Sequence, residues 1–481
     1  MKTLMNALLL LCPFAAFAQT GAPVPKLAQF DSAMKAIIAK YQVPGGQLAI
    51  TYHGKLVYSR GFGKADTTAG TAVQPYSTFR LASISKSITS IALMKLVEAG
   101  KLSVEDTVFG PKGILNDTTW QNIKDSRVKN ITVRHLLEHS GGWNRTTNGD
   151  YVFMNLTVSA AMGGGMPADA VTVLRWILKE KNLDFAPGTQ YQYSNVGFSI
   201  LGRVIEKLTG RNYEEYVRTE ILKPLGITAM RQGFNRPADR LPEEVTYYGF
   251  PGEGKGLSVY DNATLVPWYY GGFNLEAFDS FGGWTASAED LCKLLLAVDG
   301  FPTVPDILSP ATIAAMTKPS ATYQYYALGW SVNPVHNWWH IGSLNGTTTE
   351  IVRGNNEINW AVLFNTRNQN AAGLEGAMDQ FVWDVIPKIS SWPDSAVVAG
   401  IATRGAAAAG AVYAVRDGMV RVPAMPGAAK PAFKVYGTDG KTESISYSRS
   451  GDSWILDFRG AARGIHFLHA DGRVAKILME R

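Results

Sequence analysis

The chain has 481 residues, of which 46% are hydrophobic and 18% are charged, which excludes a disordered or fibrous protein. This length is sufficient for one large domain of about 250 residues or more together with a smaller unit. The net charge of +6 arises from 46 basic and 40 acidic residues scattered along the chain, and the lack of a basic run argues against a nucleic-acid partner.

The N-terminus has the pattern of a secretory signal peptide, residues 1–18. Lys2 precedes an apolar stretch at 4–16, and Ala16-Phe17-Ala18 forms an A-x-A cleavage site. We expect cleavage after Ala18 and a secreted or periplasmic mature protein. A lipoprotein reading of Cys12 fits poorly, because the preceding Leu11 stands where a small residue is typical. The later sequence contains no segment that is apolar and long enough to span a bilayer.

Hydrophobic spacing predicts the elements that follow. Residues 26–41 have helical spacing that ends at Gly45-Gly46, and a β-hairpin follows, with strands at 47–52 and 56–59. A helix is predicted from about Ser83 to Ala99, with Gly100 as its stop. Further helices are predicted at 133–139, 171–179, 196–208, 213–222, 288–298 and 374–389, and further strands at 328–332, 349–352 and 360–364.

A change in composition divides the chain near residue 393. Residues 27–392 carry the helical and strand patterns described above, and residues 393–411 form a linker rich in Ala and Gly. Residues 412–481 contain short strand-like runs separated by three Asp-Gly pairs, which are typical of hairpin turns. This tail is predicted to be a small all-β domain.

Ser83-Ile-Ser-Lys86 is the segment that most strongly suggests catalysis. The serine and the lysine are three residues apart at the start of a predicted helix and therefore share one face. A serine hydroxyl becomes a nucleophile when a base takes its proton, and a buried lysine amine can be that base. The pattern is not specific alone, because Ser126-Arg-Val-Lys129 also matches it and because Ser83 could be a helix N-cap.

Two later segments carry groups that complement a nucleophilic serine. Tyr193-Ser-Asn195 offers a phenol that could act as a general base near a lysine, and an amide that could hold a substrate carbonyl. His340-Ile-Gly342-Ser343 lies in a predicted strand, where a glycine lets a backbone N–H approach an oxyanion. His340 could also be a packed histidine beside its two tryptophan neighbours.

Taken in order, these motifs resemble those of the serine β-lactamase and penicillin-binding-protein superfamily. They are most similar to its class C β-lactamase-like family, in the esterase and D-aminopeptidase-type branch. The resemblance covers roughly residues 27–390. It is carried by residues 79–87, 132–141, 187–197, 224–226, 282–291, 328–330 and 340–342.

The resemblance implies an α+β fold, with an antiparallel sheet flanked by helices beside a helical subdomain. It implies that Ser83 is the acyl-accepting nucleophile and that Lys86 and Tyr193 share general-base duty. The backbone N–H groups of Ser83 and Ser343 would form the oxyanion hole. Substrate would be bound by Asn195, His340 and Gly342. Neither a cofactor nor a metal is implied.

One departure from the family pattern bears on the substrate. The β-lactamases of the family carry Lys-Thr-Gly where this chain has His340-Ile-Gly342, and a histidine is mostly neutral near pH 7. The resemblance therefore favours hydrolysis of a small ester, a D-amino-acid peptide or a peptidoglycan-type peptide. A weak β-lactamase is the nearest alternative.

Two alternatives belong to other classes of protein. His135-Leu-Leu-Glu138-His139 matches the H-x-x-E-H pattern of inverted zinc proteases, but no downstream acidic residue is marked out as a third ligand. A non-catalytic binding protein on the same scaffold is the second alternative, and the reactive residue types kept at all three motifs argue against it. The sequence thus favours a secreted serine hydrolase of small-molecule or peptide substrates, with an oligomeric state that it does not define.

Overall fold

The computed structural model describes residues 18–396 and eight strands between residues 411 and 479. It divides the chain into two compact units, Met1–Val397 and Val398–Arg481. Residues 1–17 of the predicted signal peptide and residues 397–410 of the predicted linker lie outside the described residues, as do the three predicted Asp-Gly turns. In the part that is described, no helix is long and apolar enough to cross a membrane.

The strands of the first unit form one large sheet and two small ones. In chain order they are β1 (Gln19–Thr20), β2 (Gly45–Tyr52), β3 (Lys55–Asp66), β4 (Thr71–Ala72), β5 (Phe79–Arg80), β6 (Arg231–Gln232), β7 (Lys255–Leu257), β8 (Leu265–Pro267), β9 (Trp284–Ala286), β10 (Ser331–Val332), β11 (Trp338–Leu344), β12 (Thr347–Arg353) and β13 (Ile358–Phe364). The large sheet has the order β1-β3-β2-β13-β12-β11-β10, with β4 paired to β3, and all of its pairs are antiparallel. The small sheets are β5-β9-β6 and β7-β8.

Helices cover both faces of the large sheet and form a second layer beside it. They are α1 (Ala28–Tyr41), α2 (Ser85–Glu98), α3 (Val133–Leu137), α4 (Arg145–Asn148), α5 (Asn155–Met162), α6 (Ala170–Glu180), α7 (Asn195–Thr209), α8 (Tyr213–Val217), α9 (Asp279–Gly282), α10 (Ala288–Leu296), α11 (Pro310–Thr317) and α12 (Ala371–Val385). A short 3₁₀ helix, Ala82–Ile84, leads into α2.

Alternate residues of β13 show how the sheet is buried. Trp360 and Val362 pack into the core formed with α1 and α12, whereas Ala361 and Leu363 belong to the core that contains α2 and α10. Because helices cover both faces, the strand is buried along its whole length and is apolar except for Asn359. The predicted α+β fold, an antiparallel sheet flanked by helices, is confirmed.

Two glycines begin β2, where the sequence pattern indicates only the end of a helix. A Cβ on Gly45 would lie 2.2 Å from the Lys64 carbonyl oxygen. A Cβ on Gly46 would lie 2.4 Å from the ring of Phe364. These glycines are therefore required by close packing inside the sheet, in addition to following a helix.

The described part of the second unit consists of short strands. They are β14 (Ala411–Ala414), β15 (Met419–Pro423), β16 (Lys434–Gly437), β17 (Thr442–Glu443), β18 (Ser446–Ser450), β19 (Ser453–Asp457), β20 (Gly464–Ala470) and β21 (Arg473–Met479). One sheet has the order β14-β21-β20-β16-β17 and the other β15-β19-β18. The β14–β21 pair is parallel, and the other pairs are antiparallel.

Candidate active site

Ser83 lies in the 3₁₀ turn that connects β5 to α2, so α2 begins two residues later than predicted. Neither this turn nor α2 has a side-chain N-cap hydrogen bond, so the N-cap interpretation of Ser83 does not hold. The preceding Ala82 has φ of 48°, in the left-handed region that non-glycine residues seldom adopt. Such backbone strain persists only where the surrounding structure fixes it.

The segment before Ser83 is fixed by side chains of β12 and by an ion pair. Thr347 Oγ1 and Thr349 Oγ1 donate hydrogen bonds of 2.8 Å to the carbonyl oxygens of Arg80 and Leu81. The Arg80 guanidinium is buried, lies 3.6 Å from a Glu244 carboxylate oxygen and donates to two backbone carbonyls. These contacts hold the backbone that presents Ser83.

Gly342 of β11 lies against the same segment. A Cβ at this position would be 2.1 Å from the Leu81 carbonyl oxygen and 2.3 Å from Thr349 Oγ1. Only glycine therefore lets β11 approach the nucleophile segment this closely. This gives a packing reason for the glycine that the sequence placed among the substrate-binding residues.

Lys86 is a fully buried lysine whose amine faces Ser83. Its Nζ lies 3.0 Å from Ser83 Oγ and donates to the Phe281 carbonyl oxygen at 2.9 Å. The ring of Tyr193 lies 4.9 Å from the same Nζ. Burial lowers the pKa of Lys86 well below its ordinary value, although the negative charge of Asp150 opposes this shift. Lys86 can therefore hold a neutral amine next to the serine hydroxyl.

Tyr193 occupies the other side of the serine. Its side chain is hydrogen-bonded to that of Ser83, and the Arg145 guanidinium lies 4.6 Å from its ring centroid. Burial nevertheless raises the pKa of Tyr193, and the hydrogen bond from Ser83 offsets only part of this effect. Desolvation of the phenolate thus outweighs the nearby Arg145 cation, and the general-base role of Tyr193 stays a prediction.

Asn195 begins α7 and is connected to a carboxyl group that the sequence did not indicate. Its Nδ2 donates to Asp150 Oδ2 at 2.6 Å, and its buried Oδ1 has no hydrogen-bond partner among the described residues. Burial raises the pKa of Asp150, while Asn195, Arg145 and Lys86 oppose the shift. Asp150 stands alone in a loop without any periodic pattern, so the sequence offers no signal for it.

An open cavity of about 350 Å³ lies over Ser83. Of the predicted site residues, Ser83, Asn195 and Ser343 line this cavity, whereas Lys86, Tyr193, His340 and Gly342 are not among its lining residues. The buried Ser343 Oγ has no hydrogen-bond partner among the described residues. The other lining residues are Ala82, Arg145, Thr146, Asp150, Phe153, Phe278, Phe281, Gly282, Leu344, Asn345 and Arg367.

The edge of the large sheet faces this cavity. β10 pairs with β11 only at Trp338 and Trp339, so β11 has no neighbour on that side from His340 to Leu344 among the described strands. Unpaired backbone groups along a strand edge are available to a ligand. The predicted oxyanion hole of the Ser83 and Ser343 N–H groups is compatible with this edge and stays a prediction.

His340 is buried and makes hydrogen bonds at both ring nitrogens. Nδ1 donates to the Ile341 carbonyl oxygen at 2.8 Å, and Nε2 lies 3.1 Å from the Tyr326 hydroxyl. Burial, assisted by the charge of Lys86, lowers the pKa of His340 to about 3, so the ring is neutral. Direct contact of His340 with substrate stays a prediction, since the residue is 4% exposed and is not among those that line the cavity.

His135 and Glu138 of the H-x-x-E-H match have separate structural uses. His135 Nδ1 accepts from the Thr132 backbone N–H in a capping box, and Glu138 accepts from the Ser320 hydroxyl. α3 ends at Leu137, so His135 and His139 do not share a helical face. Within residues 18–396 and the eight C-terminal strands, no cluster of three or more His, Cys, Asp or Glu side chains could hold a metal ion.

A buried lysine beside a serine, under an open cavity at a sheet edge, is an arrangement typical of serine acyltransfer enzymes. The model of the Beta-lactamase family matches residues 30–381. The chain therefore belongs to the Beta-lactamase family, whose members include serine hydrolases, and the predicted resemblance is confirmed.

Individual relatives agree with this assignment. The chain is 28% identical to Esterase EstB of Burkholderia gladioli over 59% of this chain and 73% of that protein. The structure matches a D-amino acid amidase from Ochrobactrum anthropi SV3 with a TM-score of 0.58 and 19% identity, covering 75% of this chain and all of the other. The octameric penicillin-binding protein homologue from Pyrococcus abyssi matches with a TM-score of 0.56 and 22% identity over 93% of this chain and 89% of the other.

The match to other curated relatives is partial. Two proteins from Dichelobacter nodosus, 29% and 30% identical, align with 52% of this chain. The chain spans 56% of the length of each. Both of these structural matches are below 25% identity and therefore show a common fold.

Proposed function

We propose that the protein is a serine hydrolase that forms an acyl-enzyme on Ser83 and releases the acyl group to water. The observation that carries the proposal is the position of the buried Lys86 Nζ, 3.0 Å from Ser83 Oγ, at the base of an open cavity. A serine hydroxyl next to a buried neutral amine is the arrangement that nucleophilic catalysis requires.

Lys86 is the better candidate for the general base in the free enzyme. Burial favours its neutral form, whereas burial of Tyr193 favours the protonated phenol. In the proposed acylation, Lys86 Nζ takes the Ser83 proton while Oγ forms a bond to the substrate carbonyl carbon. The N–H groups of Ser83 and Ser343 then stabilise the negative oxygen, and the Tyr193 hydroxyl passes a proton to the leaving group as its bond to carbon breaks. The Lys86 ammonium returns the proton that it took from Ser83 to the Tyr193 phenolate, so both side chains regain their starting forms. In deacylation, Lys86 Nζ takes a proton from water as the water oxygen bonds to the acyl carbon, and Ser83 Oγ leaves and recovers that proton.

The substrate is proposed to be a small ester, a D-amino-acid peptide or a peptidoglycan-type peptide. Asn195 supports this, because it lines the cavity and its Oδ1 has no partner in the described structure, so its amide group could pair with a substrate amide. An esterase and a D-amino acid amidase among the matched proteins are compatible with either bond type. The neutral, buried His340 argues against efficient β-lactam turnover, since it provides no cation for the β-lactam carboxylate.

The location of this activity is proposed to be outside the cytoplasm. The proposal rests on residues 1–18, whose basic start, apolar stretch and A-x-A site form a signal peptide pattern. Edman sequencing of the protein recovered from a periplasmic fraction tests it. We expect a new N-terminus at Gln19, and an uncleaved Met1 in the membrane-free cytosol would contradict export.

The decisive test of the function compares two serines that share the same tetrapeptide pattern. Ser83→Ala should lower kcat/KM for p-nitrophenyl butyrate by about 10³-fold or more and abolish any acyl adduct in the intact mass. Ser126→Ala is the matched control, because Ser126 and Lys129 fit the same spacing in a surface turn. Full activity of Ser83→Ala would overturn the proposal. A wild-type protein with neither turnover nor an adduct would favour the binding-protein alternative.

A further inference from the structure

A tyrosine hydroxyl joins two buried histidines next to the candidate active site. Tyr326 Oη lies 3.1 Å from His139 Nε2 and 3.1 Å from His340 Nε2. The three residues are 3%, 1% and 4% exposed in the order Tyr326, His139, His340, so solvent cannot substitute for these contacts. The three residues come from separate segments of the sequence, so their hydrogen bonds connect different parts of the fold.

The two ends of this chain fix the direction of every hydrogen bond. The Ser194 backbone N–H, which can only donate, points at His139 Nδ1 from 3.1 Å. His139 must then carry its proton on Nε2 and donate to Tyr326. The phenol in turn donates to His340 Nε2, and His340 Nδ1–H donates to the Ile341 carbonyl oxygen, which can only accept. Each polar atom is used once with both rings neutral.

The two ends of this hydrogen-bond chain lie next to predicted site residues in the sequence. Ser194 lies between Tyr193 and Asn195, and Ile341 lies on β11 two residues before Ser343. The segment that carries Tyr326 is also bonded to α2, the helix that contains Lys86. Ser87 Oγ of α2 donates a 2.9 Å hydrogen bond to the carbonyl oxygen of Gly329, which lies three residues after Tyr326.

The rings of the two histidines also border Tyr193. The centroid of the Tyr193 ring is 4.2 Å from that of His139 and 6.4 Å from that of His340. A change in the separation of the histidines would therefore move the phenol that contacts Ser83. Misplacement of a reacting group by about 1 Å can lower a rate by about 100-fold.

We propose that His139, Tyr326 and His340 form a directional hydrogen-bond chain that positions Tyr193 and the β11 edge relative to Ser83. Tyr326 is then a positioning residue for acyl transfer and does not itself contact the substrate. This inference rests on the proposed function of Ser83. It also gives His340 a different use from that of a lysine at the same place, because a lysine ammonium cannot accept a hydrogen bond.

Steady-state kinetics of Tyr326→Phe test the positioning role. Removal of one oxygen should lower kcat for p-nitrophenyl butyrate by about 10- to 100-fold and change KM by less than about twofold. Tyr325→Phe is the matched control, because its side chain is 43% exposed and outside the chain of contacts, and it should retain wild-type kinetics. An unchanged kcat in Tyr326→Phe, or an effect on KM alone, would overturn the positioning role while leaving Ser83 as nucleophile. Full activity of Ser83→Ala would overturn both proposals.

Two replacements of His340 distinguish a role in the hydrogen-bond chain from direct contact with substrate. His340→Gln keeps a side-chain oxygen that can accept from Tyr326, whereas His340→Lys offers only donors. We expect kcat of the Gln variant to exceed that of the Lys variant by about tenfold. The reverse order would show that a cation at this position serves the substrate, and it would overturn the inference.

The tautomers of the two histidines can be measured in the wild-type protein, so this test does not depend on the activity of a variant. Labelling with ¹⁵N-histidine should show the Nε2–H tautomer for His139 and the Nδ1–H tautomer for His340, as the fixed donor and acceptor at the two ends require. The signals are assigned by their loss in His139→Gln and His340→Gln. An imidazolium signal or the opposite tautomer at either residue would refute the chain.

Discussion

Lys86 combines a basic side chain with complete burial, and this combination makes the pH dependence of activity predictable. Catalysis by a lysine base needs the neutral amine, so activity is present above the pKa of Lys86 and is lost as the pH falls through it. Burial lowers this pKa well below its ordinary value, which is about 10.4. The rising limb of kcat/KM should therefore lie well below pH 10.4, and it is measured with p-nitrophenyl butyrate between about pH 5 and pH 10.

Two variants identify the group behind that limb. Lys86→Arg places a permanently charged guanidinium at the base position and should lower kcat/KM by about 10³-fold or more at every pH. Asp150→Asn is the control, because burial raises the pKa of Asp150 and it could produce a limb of its own. Because the charge of Asp150 raises the pKa of Lys86, Asp150→Asn should shift the limb to lower pH if Lys86 is responsible. A limb that keeps its wild-type position in Asp150→Asn would contradict the assignment.

Residue roles differ in how far the sequence could indicate them. Ser83 and Lys86 share a short spacing that has a chemical meaning, so their proximity could be expected before the fold was known. Asp150 and Tyr326 are single residues in loops, and only the folded chain brings them to Asn195 and His340. A contact between residues that are far apart in sequence leaves no local pattern.

The interior strand β12 contains a fully buried acidic residue. Glu350 has no exposed surface, and its neighbours are Asp379 of α12 and the Trp360 indole. Neither carboxyl oxygen has a well-aligned hydrogen bond within the described residues. Burial, together with the charge of Asp379, raises the pKa of Glu350 well above its ordinary value. The side chain is therefore most stable in its protonated form.

This carboxyl group should make the stability of the sheet depend on pH. A raised pKa stabilises the folded state fully below the unfolded-state pKa of about 4.3, and this contribution is lost as the pH rises through the folded-state value. Glu350→Gln is neutral at every pH and should raise Tm at about pH 8 by at least about 2 °C, with little change near pH 4. The measurement is differential scanning calorimetry at both pH values.

Glu375→Gln on the same helix as Asp379 is the control for this effect, and its two Tm shifts should be equal. A lower Tm of Glu350→Gln at pH 8 would mean that the charged carboxylate is stabilising and that the raised pKa is wrong.

The helices show where hydrophobic periodicity succeeds and where it fails as a predictor of secondary structure. Amphipathic α6, α7 and α10 lie close to their predicted ranges, whereas the four-residue α4 and α9 are too short to show a helical period.

The first compact unit, Met1–Val397, contains every residue of the candidate site and has its own hydrophobic core. Its first and last helices, α1 and α12, are joined by a 2.8 Å hydrogen bond from the Tyr41 hydroxyl to the Gly373 carbonyl oxygen. Phe30 of α1 and Leu374 of α12 belong to the same buried cluster over the sheet. The unit Met1–Val397 thus satisfies the usual criterion of a domain, a hydrophobic core of its own.

A protein that ends at Val397 should therefore fold and hydrolyse a small ester with kcat within about threefold of the full chain. The measurement is kcat for p-nitrophenyl butyrate beside a thermal unfolding curve. A protein that ends at Asn370 is the control, because loss of α12 would expose the apolar side of the sheet and should prevent cooperative unfolding. A folded protein ending at Val397 that has lost its esterase activity would show that the second unit takes part in catalysis. Equal activity on the ester with a raised KM on peptidoglycan fragments would instead assign the second unit to recognition of large substrates.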